Sequence, residues 1–126
     1  MSDKYKINDN KLELKSGVVD FNHNIKEVIF YNNIYIILLN IPNHIDEVDN
    51  IYGVNSQGEI IWRIESPEIV FPVNELTEEY ANMSKSIYTA IHKQTNEEFV
   101  GHTFFAFKYK FDYKTGKLLG KELGRW

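Results

Sequence analysis

Two stretches of the chain share one grammar. Val54-Asn55-Ser56-Gln57-Gly58-Glu59-Ile60-Ile61-Trp62 and Phe111-Asp112-Tyr113-Lys114-Thr115-Gly116-Lys117-Leu118-Leu119 each run an apolar segment into a turn that opens on Asn or Asp and closes on Gly, then out into a second apolar segment. Asn and Asp cap such a turn through the side chain, and Gly takes the left-handed position that lets an antiparallel strand leave in register. Both are β-hairpins. A third follows from Asn32-Asn33, two residues that tolerate positive φ, between the β-branched runs Glu27 to Tyr31 and Ile34 to Ile41. Its second arm, Ile34-Tyr35-Ile36-Ile37-Leu38-Leu39, is apolar at every position and so predicts a central strand covered on both faces, the most buried element of the protein.

The remaining segments fit around these hairpins. Residues 1–10 are polar and aperiodic, a tail or an edge strand. Leu12 and Leu14, then Val18, Val19 and Phe21, predict opening strands broken at Ser16-Gly17. After the second hairpin turn, alternation places Ile60, Trp62 and Ile64 on one inward face, which makes Trp62 a core residue. Asn74 caps a short helix near residues 75–84, with Leu76, Tyr80 and Met83 as its apolar stripe. Strand resumes toward Lys93, turns at Gln94 to Glu97 and continues from Glu98. From Thr103 onward, Phe105, Phe107, Tyr109, Phe111 and Tyr113 alternate with Phe104, Ala106, Lys108, Lys110 and Asp112, an aromatic row inward and a basic row toward water.

The expectation is a mainly β, single-domain protein over residues 1–126: an antiparallel meander of about eight or nine strands in a curved sheet or two-layer sandwich, with one helix over an open edge. The strand-turn-Gly phrase is also used in propeller blades. A blade takes about 40 residues and closure needs at least about four of them, so the chain cannot close a propeller by itself.

Charge is unevenly spread. Between Asn43 and Tyr80 there are nine carboxylates and a single base, Arg63, a net of −8 against −4 for the whole chain. The last segment, from Gly101, is basic. The sequence has no cysteine, which excludes disulfides and thiolate metal sites, and its apolar runs are short of a membrane span. With a polar start lacking a signal-peptide core, these features lead to the expectation of a cytoplasmic protein.

The four histidines, His23, His44, His92 and His102, are the first candidates for chemistry. None has the H-x-H or H-E-x-x-H spacing of a metal site, and His44 beside Asp46 and Asp49 lacks a second histidine. His92 and His102 can meet across adjoining strands, where Glu97 or Glu98 would complete an acid–base pair, but simple cross-strand pairing is the plainer reading. Lys108, Lys110, Lys114 and Lys117 beside aromatics have the ingredients of a single-strand nucleic-acid surface. The aromatics fall on the opposite face and the net charge is negative, so that reading is set aside. No nucleophile motif or phosphate-binding loop is present. The expectation is no catalytic residue, no cofactor and no metal.

The order of these pieces resembles a family of small bacterial β-rich proteins that carry G-x-I-L-W-x-I in the middle and Y-x-I-D-x-x-T-G-K at the end. Here the segments read Gly58-Glu59-Ile60-Ile61-Trp62-Arg63-Ile64 and Tyr109-Lys110-Phe111-Asp112-Tyr113-Lys114-Thr115-Gly116-Lys117, with the likeness running from about Ile34 to Leu119. Phe104 and Ala106 stand where the family pattern has Trp and Gly. The resemblance implies a non-enzymatic immunity protein that neutralises the C-terminal domain of a cognate bacterial toxin, one class of which is the cationic nuclease. The acidic residues Asp46, Glu47, Asp49, Glu68, Glu75, Glu78 and Glu79 are then the candidate partner-binding set, because a negative patch steers a cationic partner. The alternatives are a β adaptor for another protein, or a small-ligand or enzymatic domain with a pocket near His92, His102 and Trp62.

Overall fold

The computed structural model describes residues 5–42, 48–65, 87–103 and 107–123. Among them lie eleven strands in three antiparallel sheets: β1 (Tyr5–Asn8), β2 (Lys11–Leu14) and β3 (Gly17–Asp20); β4 (Ile25–Tyr31), β5 (Ile34–Leu39), β6 (Ile51–Asn55) and β7 (Ile60–Arg63); β8 (Tyr88–Lys93), β9 (Glu98–Thr103), β10 (Phe107–Asp112) and β11 (Leu118–Leu123). Every hydrogen-bonded neighbour is also the neighbour in sequence. The antiparallel β class is as expected. The single curved sheet or two-layer sandwich of eight or nine strands is not: the chain folds as three separate meanders. No described residue is helical, and the helix predicted near 75–84 lies outside the described residues.

The middle sheet explains the stacking. Strand β5 buries Tyr35, Ile36, Ile37, Leu38 and Leu39 at 0–2% exposure, as its unbroken apolar run requires. On one side Tyr35, Ile37, Leu39 and Val54 pack with Leu12 and Val19 of the first sheet and with Phe21 just beyond it. On the other, Ile36, Leu38, Ile51 and Trp62 pack with Tyr88, Phe99, Tyr109 and Phe111 of the third. Each such aliphatic side chain contributes roughly 1.5–3 kcal/mol by leaving water. Four-stranded sequential meanders laid face to face are the build of propeller blades, and the two matching turns occupy the same place in two of them: Asn55 to Gly58 joins β6 to β7, and Asp112 to Gly116 region joins β10 to β11.

Two local expectations are corrected. At β7 the pairing shifts, with Trp62 opposite Gly53 but Ile60 opposite Val54, so Ile61 is an extra, bulged residue. The bulge takes Ile60 off the Trp62 face, and Ile60 and Ile61 are 49% and 42% exposed. Of the alternating run from Thr103 to Tyr113, Thr103 closes β9 and Phe107–Asp112 form β10, which pairs antiparallel with β9 with Lys108 opposite His102; the expectations for Phe104, Phe105 and Ala106 lie outside the described residues. Opposed residues share a face, so Lys108 and Lys110 lie on the His102 side of the third sheet, and Tyr109 and Phe111 on the other. The first strand, by contrast, resolves the ambiguity over residues 1–10 as an edge strand, Tyr5–Asn8.

Candidate functional site

The first hairpins of the second and third sheets end side by side. In one, Asn32 and Asn33 take φ of 35° and 74° and close β4 onto β5 in two residues. In the other, the Thr95 hydroxyl accepts from the Glu97 and Glu98 amides (3.1 and 3.0 Å), shaping the Gln94 to Glu97 turn. Tyr31 locks the two together. Its hydroxyl donates toward the Glu98 and Thr95 carbonyls (2.6 and 3.0 Å), its ring stacks on Tyr113 at 4.7 Å, and burial raises its pKa so that it stays a donor. Asn32 Nδ2 donates to the Tyr113 hydroxyl (3.1 Å) from the same corner. Between the two tips lies an open cleft of about 440 Å³ lined by Phe30, Tyr31, Asn32, Lys93, Thr95 and Asn96. Lys93 Nζ stands 4.8 Å from the centre of the Tyr31 ring.

The histidine pair forms elsewhere. His92 on β8 and His102 on β9 meet, with His102 Nε2 2.7 Å from His92 Nδ1. Both lie on the face of the third sheet opposite Phe99, since alternation sends residues 99 and 102 to opposite sides. Trp62 is on the other side: 9% exposed, stacked 5.9 Å from Phe99, its indole N–H donating to the Tyr113 carbonyl (3.0 Å). The predicted pocket combining His92, His102 and Trp62 therefore does not form. Nor is Glu97 or Glu98 the carboxylate that acts on His102. That is Glu27 of β4, whose Oε1 also accepts the Ile91 amide at the edge of β8 (2.8 Å). Among the described residues no group of three or more His, Cys, Asp or Glu is placed to hold a metal ion.

Burial holds the His102 pKa below its ordinary value of 6.5, with the charges of His92 and Lys108 adding to the effect and Glu27 opposing it. Below about 6.5 the unfolded chain then takes up a proton that the folded one resists, so stability is full above that pH and declines as pH falls through the window. Thermal melts between about pH 7.5 and pH 5.5 are expected to show Tm falling with acid, and His102→Gln to flatten the slope. An unchanged slope in that variant would remove His102 as the source.

Of the candidate partner-binding set, Asp49 is described, half-buried with φ of 56°, while Asp46, Glu47, Glu68, Glu75, Glu78 and Glu79 lie outside the described residues. Asp49 is held from β7: Arg63 Nε donates to the Asp49 carbonyl (2.9 Å) and Nη2 to that of Val48 (2.7 Å), with the guanidinium 5.3 Å from the Tyr52 ring. The basic row is split. Lys108 and Lys110 are half-buried rather than facing water, and Lys114 and Lys117 are exposed at the last turn.

Residues 2–123 match a family described as a domain of unknown function (DUF7957). The chain belongs to this family. No curated protein matches it. Among solved structures it is similar to the computationally designed Ika8 protein, described in crystal packing No. 1 in P63, at a TM-score of 0.55 and 14% identity over 96% of this chain and 36% of that one. At that identity the likeness concerns the fold alone, and the chain spans about a third of the designed protein's length. No helix among the described residues is long and apolar enough to cross a membrane.

Phe30, Tyr31, Asn32, Lys93 and Asn96 carry no mark of a site in the sequence. Their only sequence signal is the two predicted turns, Asn32-Asn33 and Gln94 to Glu97, and it is the structure that sets these in adjacent sheets.

Proposed function

We propose that the chain is a non-enzymatic binding protein of the immunity type, which occludes a cationic toxin domain through the acidic segment that includes Asp46, Glu47, Asp49, Glu68, Glu75, Glu78 and Glu79. The observation that carries this is the use made of Arg63. It is the one base among nine carboxylates between Asn43 and Tyr80, and it gives its donors to backbone carbonyls at Val48 and Asp49. Arg63 thereby ties Val48 and Asp49 to the middle sheet. Acidic charge concentrated in one segment attracts a cationic partner over long range and raises the association rate. A standard interface of about 1,200–2,000 Å² is sufficient for such a complex. The reading of a binder rather than an enzyme is supported by the two histidines, which direct ring nitrogens at each other.

Two experiments test it. The reading frame beside this gene is cloned, and its C-terminal domain is expressed in a bacterial host with and without this chain; growth restored only by co-expression is the expected result, and no toxicity or no rescue ends the immunity reading. With the partner in hand, Asp46→Lys, Glu47→Lys and Asp49→Lys are combined. The association rate is expected to fall at least about 10-fold at low salt with little change in dissociation. An unchanged rate would take the acidic segment out of the interface.

A further inference from the structure

We infer that the cleft between the β4–β5 and β8–β9 hairpin tips is a binding site for a small organic anion with a flat apolar body. This stands independently of the toxin partner, since the cleft is built from other residues. Its six lining residues include one cation, Lys93, and no carboxylate. Its volume of about 440 Å³ falls within the range of about 300–1,000 Å³ usual for small-molecule sites.

The internal hydrogen bonds sort the lining into frame and reader. Tyr31 spends its hydroxyl on the Glu98 and Thr95 carbonyls and presents its ring as a wall. Thr95 spends its hydroxyl oxygen on the turn amides, and Asn32 gives its amide group to Tyr113. What remains directed outward is the Lys93 ammonium, which makes no ion pair with a described carboxylate, and the exposed Asn96 amide; the half-buried Phe30 ring packs on Tyr35 at 4.8 Å and contributes to the lining beside them. An ammonium and an amide N–H are donors, and the complementary ligand group is an acceptor with negative charge. The Phe30 and Tyr31 rings in the lining supply hydrocarbon surface for the rest of the molecule. The ammonium is already stationed over the Tyr31 face at 4.8 Å, so less side-chain freedom is lost when it meets an anion.

A carboxylate and a phosphate ester both answer this description. The probes are therefore benzoate and phenyl phosphate, with benzylamine as the flat body of opposite charge, titrated into isotope-labelled protein and followed by amide chemical shifts. Saturable shifts at Asn32, Lys93, Thr95 and Asn96 with either anion, and none with benzylamine, are expected; the better anion identifies which source the site prefers. Lys93→Met should weaken that binding by about 10-fold or more, the scale of one charge-assisted hydrogen bond, while Lys93→Arg retains most of it. Both variants alter an exposed side chain, and an unchanged Tm confirms that the fold is intact. Absence of saturable shifts with both anions, equal response to benzylamine, or full binding by Lys93→Met would each overturn the assignment.

Discussion

Asn50→Ala is expected to remove about 3–5 kcal/mol of stability, read as a lower urea midpoint at an unchanged m-value. Asn50 is 1% exposed, and its side chain joins two sheets. Nδ2 donates to the Leu39 carbonyl at the end of β5 (2.7 Å) and to the Tyr88 carbonyl at the start of β8 (2.9 Å), while Oδ1 accepts the Tyr88 amide (2.7 Å). One side-chain amide thus satisfies both backbone groups of Tyr88 as a neighbouring strand would. Alanine leaves three buried backbone groups without that partner, and each such group costs roughly 1–3 kcal/mol. Set against a typical total of about 5–15 kcal/mol, the loss brings the protein close to unfolding at ordinary temperature. Asn50→Asp provides the internal check. It keeps an acceptor for the Tyr88 amide but sets a carboxylate against two carbonyls, so its deficit should shrink when acid protonates it and restores one donor. A loss below about 1 kcal/mol for alanine would mean that water takes the amide's place and that Asn50 is no stitch between sheets.

The hairpins were legible because their signals are local. Asn32-Asn33, Asn55 to Gly58 and the Asp112 to Gly116 turn are each specified within a few residues, and all three connect adjacent strands as read. The burial of β5 was legible for a similar reason, since an apolar residue at every position has no polar face to give to water. The division into three sheets was not. Both the wrong and the right architectures are antiparallel meanders with the same turns, and they differ only in which hairpins hydrogen-bond to each other, a long-range choice with no local mark. Blade-like sheets can stack without closing, and the two matching turns join the last two strands of the second and third sheets alike. The candidate cleft was hidden at the same level. Lys93 and Asn32 acquire a relation only once the tips of two sheets are set side by side. The His92–His102 contact was visible, because β8 and β9 are sequence neighbours, whereas Glu27 reaches it from another sheet.

The glycines around Trp62 make the packing itself testable. Gly53 lies directly opposite Trp62 on β6, and Gly116 approaches the indole from the last turn of the third sheet. A Cβ on Gly116 would stand 2.6 Å from the indole Cε3, and one on Gly53 would overlap the same ring. The flat side chain fills a slot between two bare stretches of backbone, fixed edgewise by its N–H on Tyr113. Conformation separates three substitutions. Gly58 has φ of +82° but only ordinary contacts, the nearest Val19 Cγ2 at 3.8 Å, so Gly58→Ala meets backbone strain alone, about 1 kcal/mol. Gly53 has no left-handed φ, so Gly53→Ala meets the indole alone, at about 3 kcal/mol for an overpacked core. Gly116 has φ of +71° and the close ring together, and Gly116→Ala is expected to lose about 4 kcal/mol. Chemical denaturation should return the order Gly58, Gly53, Gly116. The deciding measurement is the cycle with Trp62→Leu: shortening the ring should itself be strongly destabilising, yet in that background Gly53→Ala should cost less than about 1 kcal/mol. If the two losses simply add, the indole is not what excludes a side chain at Gly53, and the contact between the second and third sheets rests on the aliphatic residues around it.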